Sequence, residues 1–231
     1  MSVLSKKEIL ERIEKGDIKI KPGIDEFQLQ AHAIDLRLGY TFMLPKLWHL
    51  TENGRESINI DHFDKNRKDN FEVIELEKGQ FFELLPGEFV LASTLETISW
   101  PDDLMSVLYP RSSTNRRGLS VDLTGIVDAG YEGQLIIPLR NNTSSQSIKI
   151  YPGERFCQIT FEDLTSPSGK PDGTYHQKDV VEGFILKQKS KEIEYIKKGL
   201  IPELKKDFAV NFDKDSKDLQ NTNEKNTGNK N

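Results

Sequence analysis

The chain has 231 residues, of which 35% are hydrophobic and 30% charged, with a formal net charge of -5. That length supports one sizeable core or two small ones. The acidic balance, with no strongly basic stretch, argues against nucleic-acid binding but leaves room for a small phosphate ligand held by a local arginine cluster.

Motifs that are missing narrow the classes further. A single cysteine, Cys157, excludes an internal disulfide framework. The H-x-E and P-C-x-x-C patterns of the zinc-dependent nucleobase deaminases are not present. No apolar run approaches the roughly eighteen residues of a membrane span. The opening MSVLSKKEILER reads as a polar helix start without the apolar core of a signal peptide. A cytoplasmic setting, away from membranes, is the expectation.

In chain order, Ser5-Lys6-Lys7-Glu8 fits a capping box, and the spacing of Ile9, Leu10 and Ile13 predicts a short amphipathic helix over residues 6–15. From there to Phe161 the pattern is mainly β. Candidate strands are 33–38, 40–44, 71–76, 81–84, 89–93, 97–100, 105–109, 119–123, 135–139, 147–150 and 156–161. They are short, frequent and separated by turn residues, which predicts a mainly all-β sandwich or jelly-roll instead of a βαβ sheet. Leu85-Pro86-Gly87-Glu88 and Tyr151-Pro152-Gly153-Glu154 both read as type II turns. Residues 45–70 read as a surface loop in which Ile58 and Ile60 suggest a short strand. A second helix is expected over 189–199. Residues 1–200 form the expected β domain. Residues 201–231 form a polar tail, with almost no apolar residues after Asp213 to offset the entropy of ordering it.

Four places suggest chemistry. Arg111, Ser112 and Ser113, followed by Arg116 and Arg117, combine planar guanidinium donors with hydroxyls, a set suited to phosphate. Taken alone, such a cluster is more often a solvated loop. Asp128 and Tyr131 sit near the bend of an expected hairpin over residues 119–139, where an Asp is commonly a turn former and a Tyr a packing residue. Asp35, flanked by apolar neighbours in a strand, must be paired or hydrogen-bonded if it faces inward. Gln158 follows the second Pro-Gly turn with an amide that could donate to a phosphate oxygen.

Read together, AIDLRLG, PRSSTNR, GIVDAGYEGQL and PGERFCQ resemble, in order and spacing, the trimeric dUTP diphosphatase and dCTP deaminase superfamily. The resemblance runs over about residues 3–187. It implies a distorted β jelly-roll of the dUTPase type, assembled as a homotrimer with sites at the subunit contacts. Arg111, Ser112 and Gln158 would bind phosphates, with Ser113 and Arg116 nearby. Asp128 would activate water, Tyr131 would lie under the deoxyribose, and the backbone of residues 123–127 would read the base. Mg2+ would be held largely by the triphosphate, helped by Asp35 through water. Gly173 to Gln177, including Tyr175, resembles the lid of the deaminase branch.

One departure guides the choice of activity. The deaminases place a glutamate ten residues after the Asp, and here that position is Pro138. Proline cannot shuttle protons, and such acid–base work contributes roughly 10²–10⁴-fold. The resulting expectation is a Mg2+-dependent dUTP diphosphatase forming dUMP and pyrophosphate. The alternatives are a dCTP deaminase or an inactive nucleotide-binding regulator, and a substrate of dUTP or possibly dCTP.

Overall fold

Ser5 opens the first helix as its capping box predicts. Its Oγ accepts from the Glu8 N–H at 3.5 Å, while the Glu8 carboxylate accepts from the Ser5 N–H at 2.7 Å. The helix, α1 (Lys6–Glu14), buries Ile9 completely. Arg12 ties it to the body through Asp17, Asp103 and Asp163 at 3.2, 3.0 and 3.4 Å. The computed structural model describes residues 2–59, 70–122, 125–169 and 190–209.

The β elements follow as β1 (Lys19–Lys21), β2 (Ile34–Pro45), β3 (Trp48–Thr51), β4 (Gly54–Ser57), β5 (Phe71–Glu75), β6 (Phe82–Leu84), β7 (Phe89–Ser99) and β8 (Leu104–Pro110). A one-turn helix, α2 (Ser112–Asn115), precedes β9 (Leu119–Val121), β10 (Gly125–Val127), β11 (Glu132–Asn141), β12 (Ile148–Ile150) and β13 (Arg155–Asp163). Two short helices, α3 (Ser190–Lys197) and α4 (Ile201–Asp207), come last among the described residues.

Nine strands form one curled antiparallel sheet in the order β10-β8-β13-β2-β7-β11-β9, with β1 added to β7 and β5 added to β2. β12 pairs with β6, and β3 with β4. Strand residues alternate inward and outward, so one contiguous core collects Ile34, Leu36, Phe42, Ile98, Leu108, Leu139, Phe156 and Phe161. Phe42 stacks on Phe82 at 4.6 Å, and Trp100 meets Phe161 edge-on at 5.5 Å. The fold is the mainly β, distorted jelly-roll that the motifs imply.

Several expectations change in detail. Segments 33–38 and 40–44 are one strand, β2, because Gly39 continues it where another residue would break it. A Cβ there would lie 2.3 Å from Ser93 Oγ and 2.7 Å from the Thr94 carbonyl oxygen. That close approach lets β2 lie tightly beside its antiparallel neighbour β7, and the register shifts between Leu38 and Phe42. Segments 89–93 and 97–100 likewise join as β7. The expected simple hairpin over 119–139 does not form. β9 pairs with β11, whereas β10 leaves for β8 at the other end of the sheet order. Residues 45–70 carry the β3–β4 hairpin. Ile58 is outside any strand, and Ile60 is outside the described residues. The stretch assigned to the tail contains α4, whereas residues 210–231 are outside the described residues.

Both Pro-Gly turns form as expected. Gly87 and Gly153 adopt φ of 75° and 89°, and each turn closes with a 3.0 Å bond between its first and fourth residues. In each, the fourth-residue glutamate also accepts from the first residue's N–H, Glu88 from Leu85 at 2.8 Å and Glu154 from Tyr151 at 3.4 Å.

Candidate functional site

At one end of β8, three strands bring the first group of candidates together. Gln158 on β13 lies between Asp35 on β2 and Tyr109 on β8, directly opposite both. β8 stops at Pro110, and Arg111 keeps an extended backbone as the residue before α2. From there its Nε reaches Asp35 Oδ2 at 3.0 Å, and its NH1 donates to the Arg155 carbonyl at 3.0 Å. Arg155 NH1 meets the same Asp35 oxygen at 3.2 Å and also donates to the Phe27 carbonyl. Gln30 adds its amide at 3.3 Å. Asp35 is 1% exposed. Burial pushes its carboxyl upward, and Arg111 and Arg155 offset part of that. Ser112, Ser113 and Arg116 project from α2 into solvent, and Arg117 pairs with Glu154 at 2.6 Å.

Behind this cluster is a polar layer that sequence reasoning missed. Gln28 Nε2 donates to the Asp35 carbonyl at 2.9 Å and to Glu96 Oε1 at 2.7 Å. The Arg37 N–H donates to Glu96 Oε2 at 3.0 Å. Glu96 is 1% exposed, and burial raises its carboxyl. Burial, with Glu96 and Asp35 nearby, also pushes the Cys157 thiol well up. The signal was available: Glu96 interrupts an apolar strand pattern much as Asp35 does.

The Asp128–Tyr131 turn forms the second group. It is anchored on Trp100 and Pro101. The Trp100 indole donates to the Asp128 carbonyl at 3.2 Å, Gly130 N–H to Pro101 at 3.1 Å, and Trp100 N–H to Tyr131 at 3.2 Å. Asp128 is thereby left exposed. Tyr131 packs its ring 5.5 Å from Trp100 and donates its hydroxyl to the Gln134 carbonyl at 2.8 Å. Only 9% of Tyr131 is exposed, and burial raises its phenol. Within one chain it is therefore chiefly a packing residue with a small free surface. Tyr175, Leu123 and Thr124 lie outside the described residues.

The two groups do not meet within a chain. Val127 pairs with Ser106 near the start of β8, and Arg111 follows its last residue. At 3.3–3.4 Å per residue, the five residues from Ser106 to Arg111 separate them by about 17 Å.

A metal role for Asp35 fits poorly with these contacts. Two guanidiniums and an amide converge on its Oδ2, surroundings that disfavour an added divalent cation. Among the described residues, no group of three or more His, Cys, Asp or Glu could hold a metal ion. No helix of the described residues is long and apolar enough to cross a membrane.

The jelly-roll thus places arginine and hydroxyl donors at one end of a strand and an exposed carboxylate at the other. A family model described as dCTP deaminase-like matches residues 3–164. The chain belongs to that family. It is 42% identical over 171 residues to a dUMP-forming dCTP deaminase of Dictyoglomus turgidum, covering 73% of this chain and 84% of that protein. It is 38% identical over 175 residues to another from Methanosphaera stadtmanae, with coverage of 75% and 85%. A crystal structure of the 2'-deoxycytidine 5'-triphosphate deaminase from Agrobacterium tumefaciens superposes with a TM-score of 0.54 at 21% identity, over 70% of this chain. This chain spans about half of that one (48%), and at that identity the match shows the fold alone.

These relatives overturn the choice of a plain dUTP diphosphatase. That choice rests on the absence of a glutamate at position 138. Yet the relatives that share most of this chain's length are dCTP deaminases, including dUMP-forming ones. The similarity of the whole domain outweighs one missing side chain.

Proposed function

We propose that this protein is a dUMP-forming dCTP deaminase, which removes ammonia from the cytosine and releases pyrophosphate. The observation that carries the reading is the split site on β8, found in a chain whose relatives bear that activity. Arg111, held by Asp35, would grip the triphosphate with Ser112, Ser113, Arg116 and Gln158. Asp128 would orient the water that attacks the phosphoanhydride. The free surface of Tyr131 would border the sugar, and Tyr175, outside the described residues, would contribute to nucleotide binding. Mg2+ would arrive on the triphosphate oxygens, where it would neutralise charge.

The separation of about 17 Å along β8 supports a homotrimer in which Asp128 of one copy meets Arg111 of another. The test is incubation with dCTP and Mg2+, following ammonia, dUMP and pyrophosphate. Formation of all three is expected. A dCTP sample recovered unchanged would overturn the reading.

A further inference from the structure

Deamination needs a group to move protons, and position 138 does not supply one. The strand pairing shows where a carboxylate stands instead. β9 and β11 pair Val121 with Leu139 and Ser120 with Arg140, and one step further the Asp122 N–H donates to the Pro138 carbonyl at 3.0 Å. Asp122 is therefore directly opposite Pro138. Residues so placed share a face of the sheet, with Cβ atoms roughly 4.5–5.5 Å apart. Leu139 and Val121 point the other way, into the core. The Ser120 hydroxyl donates to Asp122 Oδ1, and Arg140 Nε lies 3.7 Å from Oδ2. The carboxylate is thus oriented from two sides while its side chain remains 41% exposed.

Other carboxylates are less well placed. Asp35 and Glu96 are buried and engaged by guanidiniums or amides. Glu154 is paired with Arg117. Glu132 is on the same strand as Pro138, but six residues away, or about 20 Å. Asp128 is already assigned to the phosphoanhydride step.

Resting on the deaminase reading above, we infer that Asp122 is the proton-transfer residue of the deamination. Its carboxylate takes a proton from water as the oxygen bonds to C4 of cytosine, and passes it to N3. It then takes the proton of the new hydroxyl and delivers it to the amino group. The C4–N bond breaks with its electron pair leaving on ammonia, and the C4 carbonyl forms. One water is consumed and one ammonia released.

The test compares wild type, Asp122→Asn and Asp122→Glu, each assayed for ammonia from dCTP and for dUMP from dUTP, with melting temperatures. Asp122→Asn is expected to lower ammonia release by about 10²-fold or more. Its conversion of dUTP should fall far less, and Asp122→Glu should recover part of the ammonia signal. Ammonia release by Asp122→Asn at the wild-type rate would overturn the inference, as would equal loss of both activities or an Asp122→Glu no better than Asp122→Asn. If wild type itself releases no ammonia, the deaminase reading fails, and the inference with it. That failure is recognisable because it appears before any substitution.

Discussion

The two ends of β8 are built on opposite principles. At the Arg111 end a buried carboxylate, Asp35, binds two guanidiniums that remain partly exposed. At the Asp128 end the carboxylate is outside, and backbone bonds to Trp100 and Pro101 hold the turn beneath it. Under the proposed function, the first end would keep positive charge in place for an anion, and the second would leave a negative group free to act on water. Neither end is a complete site, so the comparison predicts different failures when each is damaged.

The largest effect is expected at the exposed carboxylate. Asp128→Asn should lower dUMP formation by about 10²–10⁴-fold with KM little changed, because the amide cannot take the proton of water. Steady-state kinetics would check this, and a variant with wild-type kcat would remove Asp128 from the chemistry. A mixing experiment sharpens the comparison. Asp128→Asn and Arg111→Ala proteins, each inactive alone, should regain activity when their subunits are exchanged. If they do not, although native mass spectrometry confirms mixed trimers, the two ends do not serve one site.

At the buried end, Asp35→Asn should act chiefly on KM for the nucleotide, raising it by about 10-fold or more, since Arg111 and Arg155 lose a charge-assisted anchor. The Mg2+ requirement should not move. A shift in the Mg2+ concentration needed for half-maximal rate would return Asp35 to the metal.

A smaller effect concerns stability behind that end. Glu96→Gln leaves either Gln28 Nε2 or the Arg37 N–H facing an amide NH2, a loss of about 1–3 kcal/mol in a urea titration. The pH dependence has a definite sign. Burial raises the Glu96 carboxyl, so the folded state holds its proton at pH values where the unfolded state has released it. Stability should therefore decline as pH rises from the ordinary glutamate range towards the raised value, and Glu96→Gln should lose that part of the slope. A variant with the wild-type slope would show that Glu96 does not titrate differently on folding. The mildest change is Tyr131→Phe, which removes the bond to Gln134 and should cost about 0.5–1.5 kcal/mol, measured the same way.

The helix at Ser5, the Pro-Gly turns and most strands were legible because their signals are local. A capping box, a positive-φ glycine and alternating burial each act within a few residues. The motif residues were also legible as a group. What misled was Pro138, whose meaning depends on its neighbour across the sheet. Its missing N–H faces β9, the end strand of the sheet order, whose assigned span stops at Val121. β11 therefore runs unbroken through Pro138, which still pairs with Leu91 of β7, and Asp122 beside it could be found only from the pairing.

By itself the sequence determined the mainly β character, the phosphate-suited cluster and the family resemblance, since these rest on residue type and short spacings. Tertiary structure decided which strands continue through Gly39, where β9 and β10 part, that Asp35 faces arginines, and that Asp128 and Arg111 stand at opposite ends of β8. Those outcomes depend on contacts between residues far apart in the chain. Strand register sets them, and a one-residue slip would turn every side chain to the other face.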